Sequence, residues 1–256
     1  MTRDSQHALS FGQAAADYER GRPSYPREAV DWLVARAAVG DAPVHDVVDV
    51  GAGTGKFTTS LVAHGLAVTA VEPDPQMLAR LAVNHPSVAA LSGSAEAIPL
   101  EDASADLVTF AQAWHWVDVP RASTEAARVL RPGGALGLVW NIRDDSVAWV
   151  AELAATMGAS AAEEYNSTTP AIAAPLALEE YAEFRWENPV GREELVAMVA
   201  SRSYVIVMAA AERTALLRAV EELLDTHPDT AGLEEYRMPY VTRVSIARAA
   251  SAASAS

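Results

Sequence analysis

The chain has 256 residues, half of them hydrophobic, and its 34 acidic side chains outnumber 19 basic ones, giving a formal charge of −15. That apolar content excludes a disordered chain, and a length above roughly 200 residues lets one α/β domain bury a large core, so a single domain with elaborations is expected. The charge argues against nucleic acid as a partner, since phosphate backbones are bound mainly by Lys and Arg, and the lack of cysteine excludes disulfides, a thiol nucleophile and thiolate metal sites.

The opening stretch MTRDSQHALSFGQAAADYERGRPSYP lacks the apolar segment of a signal peptide. No uncharged apolar run of about 18 residues follows it, so the expectation is a soluble, cytoplasmic protein with no membrane partner. Residues 9–39 read as an N-terminal helical cover: GRPSYP (21–26) is punctuated by proline, and AVDWLVARAAV (29–39) has helical spacing. From residue 46 short apolar runs alternate with amphipathic ones. Strands are predicted at 46–50, 66–73, 88–92, 106–110 and 135–140, and helices at 58–65, 74–84 and 122–130, the last closed by RPGG. Residues 145–235 form a mostly helical elaboration, with helices expected at 145–164, 191–203 and 209–226 around a strand at 181–189. PYVTRVSIARA (239–249) is the expected last strand, and Phe184 and Trp186, alternating along 181–189, are expected to be core. This βαβ rhythm predicts an α/β fold: a doubly wound, mostly parallel sheet of seven strands, with helices on both faces and a helical lid at its C-terminal edge.

The sharpest chemical signal is VVDVGAGTGKF (47–57), where Gly51, Gly53 and Gly55 lie between a strand and a helix. Glycines there let the backbone turn tightly and approach a ligand, while the helix N-terminus offers free N–H groups. A phosphate-binding P-loop needs Gly five residues before Gly55 and Ser or Thr after Lys56, where Val50 and Phe57 stand. A dinucleotide loop starting at Gly51 needs Gly or Ala at Lys56. Asp49, two residues before the loop, would repel a pyrophosphate and suit an ammonium or sulfonium, with a plain strand-end cap as the alternative. Glu72, at the tip of the second strand, is placed to accept both ribose hydroxyls, with a solvated turn acid as the alternative.

In these residues the chain resembles the class I S-adenosylmethionine-dependent methyltransferases, in the type 11 branch similar to trans-aconitate methyltransferases. Five stretches in order carry the resemblance: DVGAGTGKFT (49–58), AVEPDPQML (70–78), GSAEAIPLED (93–102), DLVTFAQAWHWVD (106–118) and ARVLRPGGAL (127–136). The resemblance implies a Rossmann-like sheet and S-adenosyl-L-methionine as cofactor. It places Gly51, Gly53 and Gly55 along the methionine part, Asp49 on its amino group and Glu72 on the ribose. Pro73, Asp74 and Met77 would line the adenosine. Ser94, Ala95 and Glu96 would read the adenine edge; Ser94 stands where many relatives carry Asp, so Glu96 is the acid of this motif. Gln112 and Ala113 would lie under the cofactor. FGQAAADYERGRPSYP (11–26) matches the segment that folds over the cofactor in relatives, so Tyr18, Arg22 and Tyr25 are candidates to reach inward, Arg22 toward the cofactor carboxylate.

QAWHW (112–116) falls at a strand's C-terminal end, where open α/β sheets place their sites. His115 is the candidate general base, because its pKa lies near neutrality, with Tyr25 as the other catalytic candidate. Trp114 and Trp116 are candidate walls of the acceptor pocket, with packing of the lid as their alternative, and Tyr204 in SRSYVIV (201–207) is placed there by the resemblance. The six His, at 7, 45, 64, 85, 115 and 227, show no ligand spacing, so no metal is expected. The expected activity is transfer of a methyl group to a small organic molecule, mainly by positioning. A cofactor-binding protein without turnover is the alternative, and a NAD-dependent reductase comes third.

Overall fold

A computed structural model of the chain describes residues 23–40, 42–158 and 169–249; Tyr18, Arg22 and residues 159–164 of the expected helix lie outside them. The described elements are α1 (Arg27–Ala37), β1 (Asp46–Val50), α2 (Lys56–Ala63), β2 (Ala67–Glu72), α3 (Pro75–Asn84), β3 (Ala89–Ser92), β4 (Ala105–Ala111) and a 3₁₀ turn (Trp114–Trp116). They continue with α4 (Val119–Val129), β5 (Leu130–Arg143), α5 (Ala148–Met157), β6 (Leu176–Gly191), α6 (Arg192–Ala200), α7 (Ser203–Ile206), α8 (Ala210–Thr226) and β7 (Glu235–Ala249).

These strands form one sheet in the order β3-β2-β1-β4-β5-β7-β6. The first five are parallel, and β7 runs antiparallel to both β5 and β6. The β1 run DVVDV shows why: alternate valines meet apolar layers on both faces, as a buried parallel strand requires. Val47 packs with α1 and α2 through Leu33, Phe57 and Leu61, whereas Val48 and Val50 pack with α4 through Ala122, Ala126 and Val129. A third apolar cluster joins α5, α6 and α8 to the start of β7, through Trp149, Leu153, Leu195, Leu224 and Tyr236.

Three departures from the sequence expectation have a local reason. RPGG does not separate helix from strand: β5 begins at Leu130, and the register slips between Ala105 and Leu107. Gly133, at φ +83°, and Gly134, whose absent Cβ would lie 2.9 Å from Asp106 O, let the chain bulge there without leaving the sheet. The strand expected at 181–189 runs from Leu176 to Gly191, because pairing with β7 outweighs the weak strand preference of its Glu- and Ala-rich start. The helix expected over 191–203 stops at Ala200 and restarts as the short α7. Arg131 ties the strand starts together, with Asp46 at 2.8 Å and Asp106 at 2.6 Å.

Candidate active site

Strand order reverses between β1 and β4, which leaves a crevice beyond their C-terminal ends. Asp49 of β1 stands there fully buried, in register with Thr109 of β4. The Thr58 hydroxyl of α2 donates to Asp49 Oδ2 at 2.7 Å, and the Thr109 hydroxyl donates to Oδ1 at 3.0 Å. Burial pushes the carboxyl up to about 6, against the pull of these two donors.

The glycine loop follows directly. Gly51, Gly53 and Gly55 sit at φ +67°, +59° and +92°, backbone that favours glycine. A Cβ on Gly51 would lie 2.7 Å from the Ala113 Cβ, so the loop passes the residues after β4 too closely for a side chain at this position. Gly51→Ala is therefore expected to lower the unfolding free energy by about 1–3 kcal/mol, read by urea denaturation. Behind the loop, Asn84 Nδ2 donates to Thr54 O at 3.0 Å, and His85 Nε2 lies 3.1 Å from both Gly55 O and the Thr59 hydroxyl.

Glu72 ends β2 and is buried rather than solvated, which removes the turn-acid alternative. Its Oε2 accepts from Gly53 N at 2.8 Å and its Oε1 from Asp74 N at 2.9 Å. Burial above all pushes this carboxyl up to about 7, and the charges of Asp74 and Asp49 add to the rise. Asp74 caps α3 through Gln76 N at 2.8 Å and Met77 N at 3.2 Å.

A small cavity of about 20 Å³ opens beside Asp49, lined also by Tyr25, Gly51, Thr54, Lys56 and Phe57 among others; Glu72 is not part of its lining. Thr54 is 2% exposed, and its hydroxyl has no hydrogen-bond partner among the described residues. Tyr25 meets Phe57 edge-on, with ring centroids 4.8 Å apart. A wider cavity of about 340 Å³ lies at the opposite edge, between strand starts near Asp46, Val68 and Ala89. It contains none of the residues singled out in the sequence, and open α/β sheets place their chemistry at strand ends, so the small cavity is the candidate site.

Residues 48–138 match the family model described as a methyltransferase domain. The chain is 49% identical over 235 residues to an uncharacterized methyltransferase of Mycobacterium tuberculosis, covering 92% of this chain and 93% of that one. A methyltransferase-like protein of Schizosaccharomyces pombe is 33% identical over 244 residues, covering 91% of this chain and 93% of that one. The chain belongs to the class I S-adenosylmethionine-dependent methyltransferases. A solved structure described as a type II methyltransferase of Anaeromyxobacter dehalogenans superposes with a TM-score of 0.65 at 26% identity, covering 89% of this chain and 97% of that one.

S-adenosylmethionine is thus the cofactor of this methyltransferase, and the site's chemistry suits it. An orphaned buried hydroxyl and a buried carboxyl line one small cavity, as a ligand with an ammonium group requires. Around this centre the other sequence candidates fall as follows. Pro73 is exposed, and Met77 is buried on α3. Ser94 pairs with Ala97 through their backbones at 3.2 and 3.3 Å, Ala95 is core, and Glu96 Oε1 accepts from Asp118 N at 2.9 Å. Gln112 sits at φ +59° with its Nε2 donating to Asn141 O at 2.7 Å.

Trp114 corrects an expectation. It is fully buried, edge-on to Phe110 at 4.7 Å, with its Nε1 donating to Ala171 O at 2.7 Å, so it packs the core instead of walling a pocket. His115 and Trp116 are half-buried beside it, their rings 4.7 Å apart. Tyr204 is half-buried in α7. Phe184 lies edge-on to Trp32 at 6.2 Å, and Trp186 stacks on Tyr240 at 5.3 Å. The sequence reading missed Thr54, Thr58, Thr109, Asn84, His85 and Asn141. Thr109 had a signal: a polar residue inside the apolar run DLVTFA needs a buried partner.

Proposed function

We propose that this methyltransferase moves the methyl group of S-adenosylmethionine to a small organic acceptor by in-line displacement, with positioning as the main source of rate. The observation that carries the reading is the buried Asp49 carboxyl sharing its cavity with the orphaned Thr54 hydroxyl. The cofactor supplies a methyl group made electrophilic by a sulfonium. Each carboxylate oxygen accepts two hydrogen bonds, so Asp49 and Glu72 keep capacity for the cofactor's ammonium and ribose hydroxyls beyond the donors they already hold. Pro73, Met77 and the Ser94–Glu96 turn would border the adenosine, with Gln112 and Ala113 beneath. Tyr25, and by resemblance Tyr18 and Arg22 in the 9–39 cover, would close over it. The 145–235 elaboration, with Tyr204, would face the acceptor together with Trp116 and His115, all within a single 1–256 domain. The resemblance to trans-aconitate methyltransferases supports organic acids as the first acceptors to try.

Holding two reactants in line supplies roughly 7–11 kcal/mol in good intramolecular cases, without any base. If His115 adds general-base catalysis to positioning, His115→Ala lowers kcat by about 10²-fold with cofactor affinity unchanged, at the low end of general-base effects. A full rate at every pH would leave positioning as the whole mechanism. The function itself is tested by labelled methyl transfer across a library of small acceptors. One S-adenosylhomocysteine per methylated product is expected, and binding of the cofactor without transfer to any acceptor would reduce the protein to a binder.

A further inference from the structure

We propose that Asn141, near the end of β5, is a positioning residue that fastens both sides of the cofactor cleft: the Ser24–Tyr25 arm through its side chain and the β4 tip through its carbonyl. The inference rests on the cofactor reading of that cleft. It begins at Trp186 on β6, whose Nε1 can only donate and does so to Thr242 Oγ1 at 2.8 Å. The Thr242 proton is then left to donate to Asn141 Oδ1 at 2.6 Å. This fixes the orientation of the Asn141 amide, and its Nδ2 donates to Ser24 O at 2.9 Å. The relay has one direction, because flipping any member sets two donors or two acceptors against each other.

The carbonyl of the same residue accepts from Gln112 Nε2 at 2.7 Å. Gln112 holds the left-handed backbone, at φ +59°, from which Ala113 reaches Gly51. A left-handed residue other than glycine is strained, and strain of this kind persists only where neighbours hold it. On the other side, Tyr25 follows Ser24 directly and lines the cavity with Asp49 and Gly51. Asn141 therefore sets the position of Tyr25 through the Ser24 carbonyl.

The test is a double-mutant cycle read as the Kd of S-adenosylhomocysteine, with Asn141→Asp, Tyr25→Ala and the pair. Asp keeps the size and the Thr242 bond but turns an acceptor toward Ser24 O. Each single variant is expected to bind about tenfold more weakly, a readable change of one decade. The pair is expected to bind no more weakly than Tyr25→Ala alone, because Asn141 acts through the arm. Additive losses of about a hundredfold, or an unchanged Kd in Asn141→Asp, would overturn the proposal. Hydrogen exchange of peptide 23–28 without ligand separates this from the cofactor reading: faster exchange in Asn141→Asp supports the arm's tether whatever binds, and unchanged exchange overturns it. Should Asn141→Asp not fold, Thr242→Val, which removes the bond that orients Asn141, takes its place in both measurements with the same outcomes.

Discussion

Asp49→Asn is expected to yield a protein more stable than the wild type at about pH 8 that has lost most of its affinity for the cofactor. The folded state raises the Asp49 carboxyl from 3.8 to about 6 by burial, so the folded chain holds this proton more tightly than the unfolded chain does. That contribution to stability is complete below about pH 4 and is lost as pH rises through about 6. At higher pH the molecule carries a buried carboxylate at a cost of roughly 3 kcal/mol, at about 1.4 kcal/mol per pKa unit. Asn never ionises and escapes that cost. It also fits the existing donors. One hydroxyl still donates to its Oδ1, while Thr109, 3.4 Å from Val48 O, can turn its proton there and accept from the new Nδ2. Only the charge is removed, and a hydrogen bond to a charged group contributes about 1.5–3 kcal/mol, so the Kd for S-adenosylhomocysteine should rise about 10- to 150-fold. Calorimetric melting at about pH 5 and pH 8, with a ligand titration, reads both halves. Wild-type affinity in the variant would remove Asp49 from the cofactor site.

Cofactor affinity should also fall with acid, in two steps. Glu72 is raised from 4.5 to about 7 and Asp49 to about 6, each chiefly by burial. Above pH 7 both are negative and attract a cationic ligand with ribose hydroxyls. As pH falls, Glu72 takes up its proton first and Asp49 second, and each proton that binding must then expel costs about tenfold in affinity per pH unit. Between about pH 8 and pH 5.5 the Kd should rise more than tenfold, and near pH 6.5 the apparent enthalpy should differ between phosphate and Tris as protons pass to the buffer. Glu72→Ala should remove the upper step, weaken binding at pH 8 and leave the lower step in place. It also strips Gly53 N and Asp74 N of their acceptor, so its melting temperature should fall too. A flat affinity across this range would contradict the assignment of these carboxyls.

The parts of this fold that were legible in sequence are those fixed by neighbours in sequence. DVVDV-GAGTG matches β1 and the loop residue for residue, because β-branched residues and glycines each demand their backbone locally. RPGG was misleading, since the same glycines that end a helix also permit a bulge in a strand. Trp114 was misplaced because its burial depends on Phe110 and Ala171, the latter 57 residues away. The partners of Asp49 were hidden for a similar reason: Thr109 becomes one only through a strand register that spans 60 residues. Asn141 lies further out of reach, with Thr242 at a separation of 101 residues and Ser24 at 117.

Asp49 and Glu72 are the proposed holders of S-adenosylmethionine at the switch point of the sheet. A crystal structure with S-adenosylhomocysteine bound tests this pairing. The ligand's amino group is expected within hydrogen-bond reach of Asp49 and the Thr54 hydroxyl, with its ribose hydroxyls on Glu72. A ligand seated in the wider cavity between the strand starts near Asp46 and Val68, or one leaving both carboxyls untouched, would contradict it.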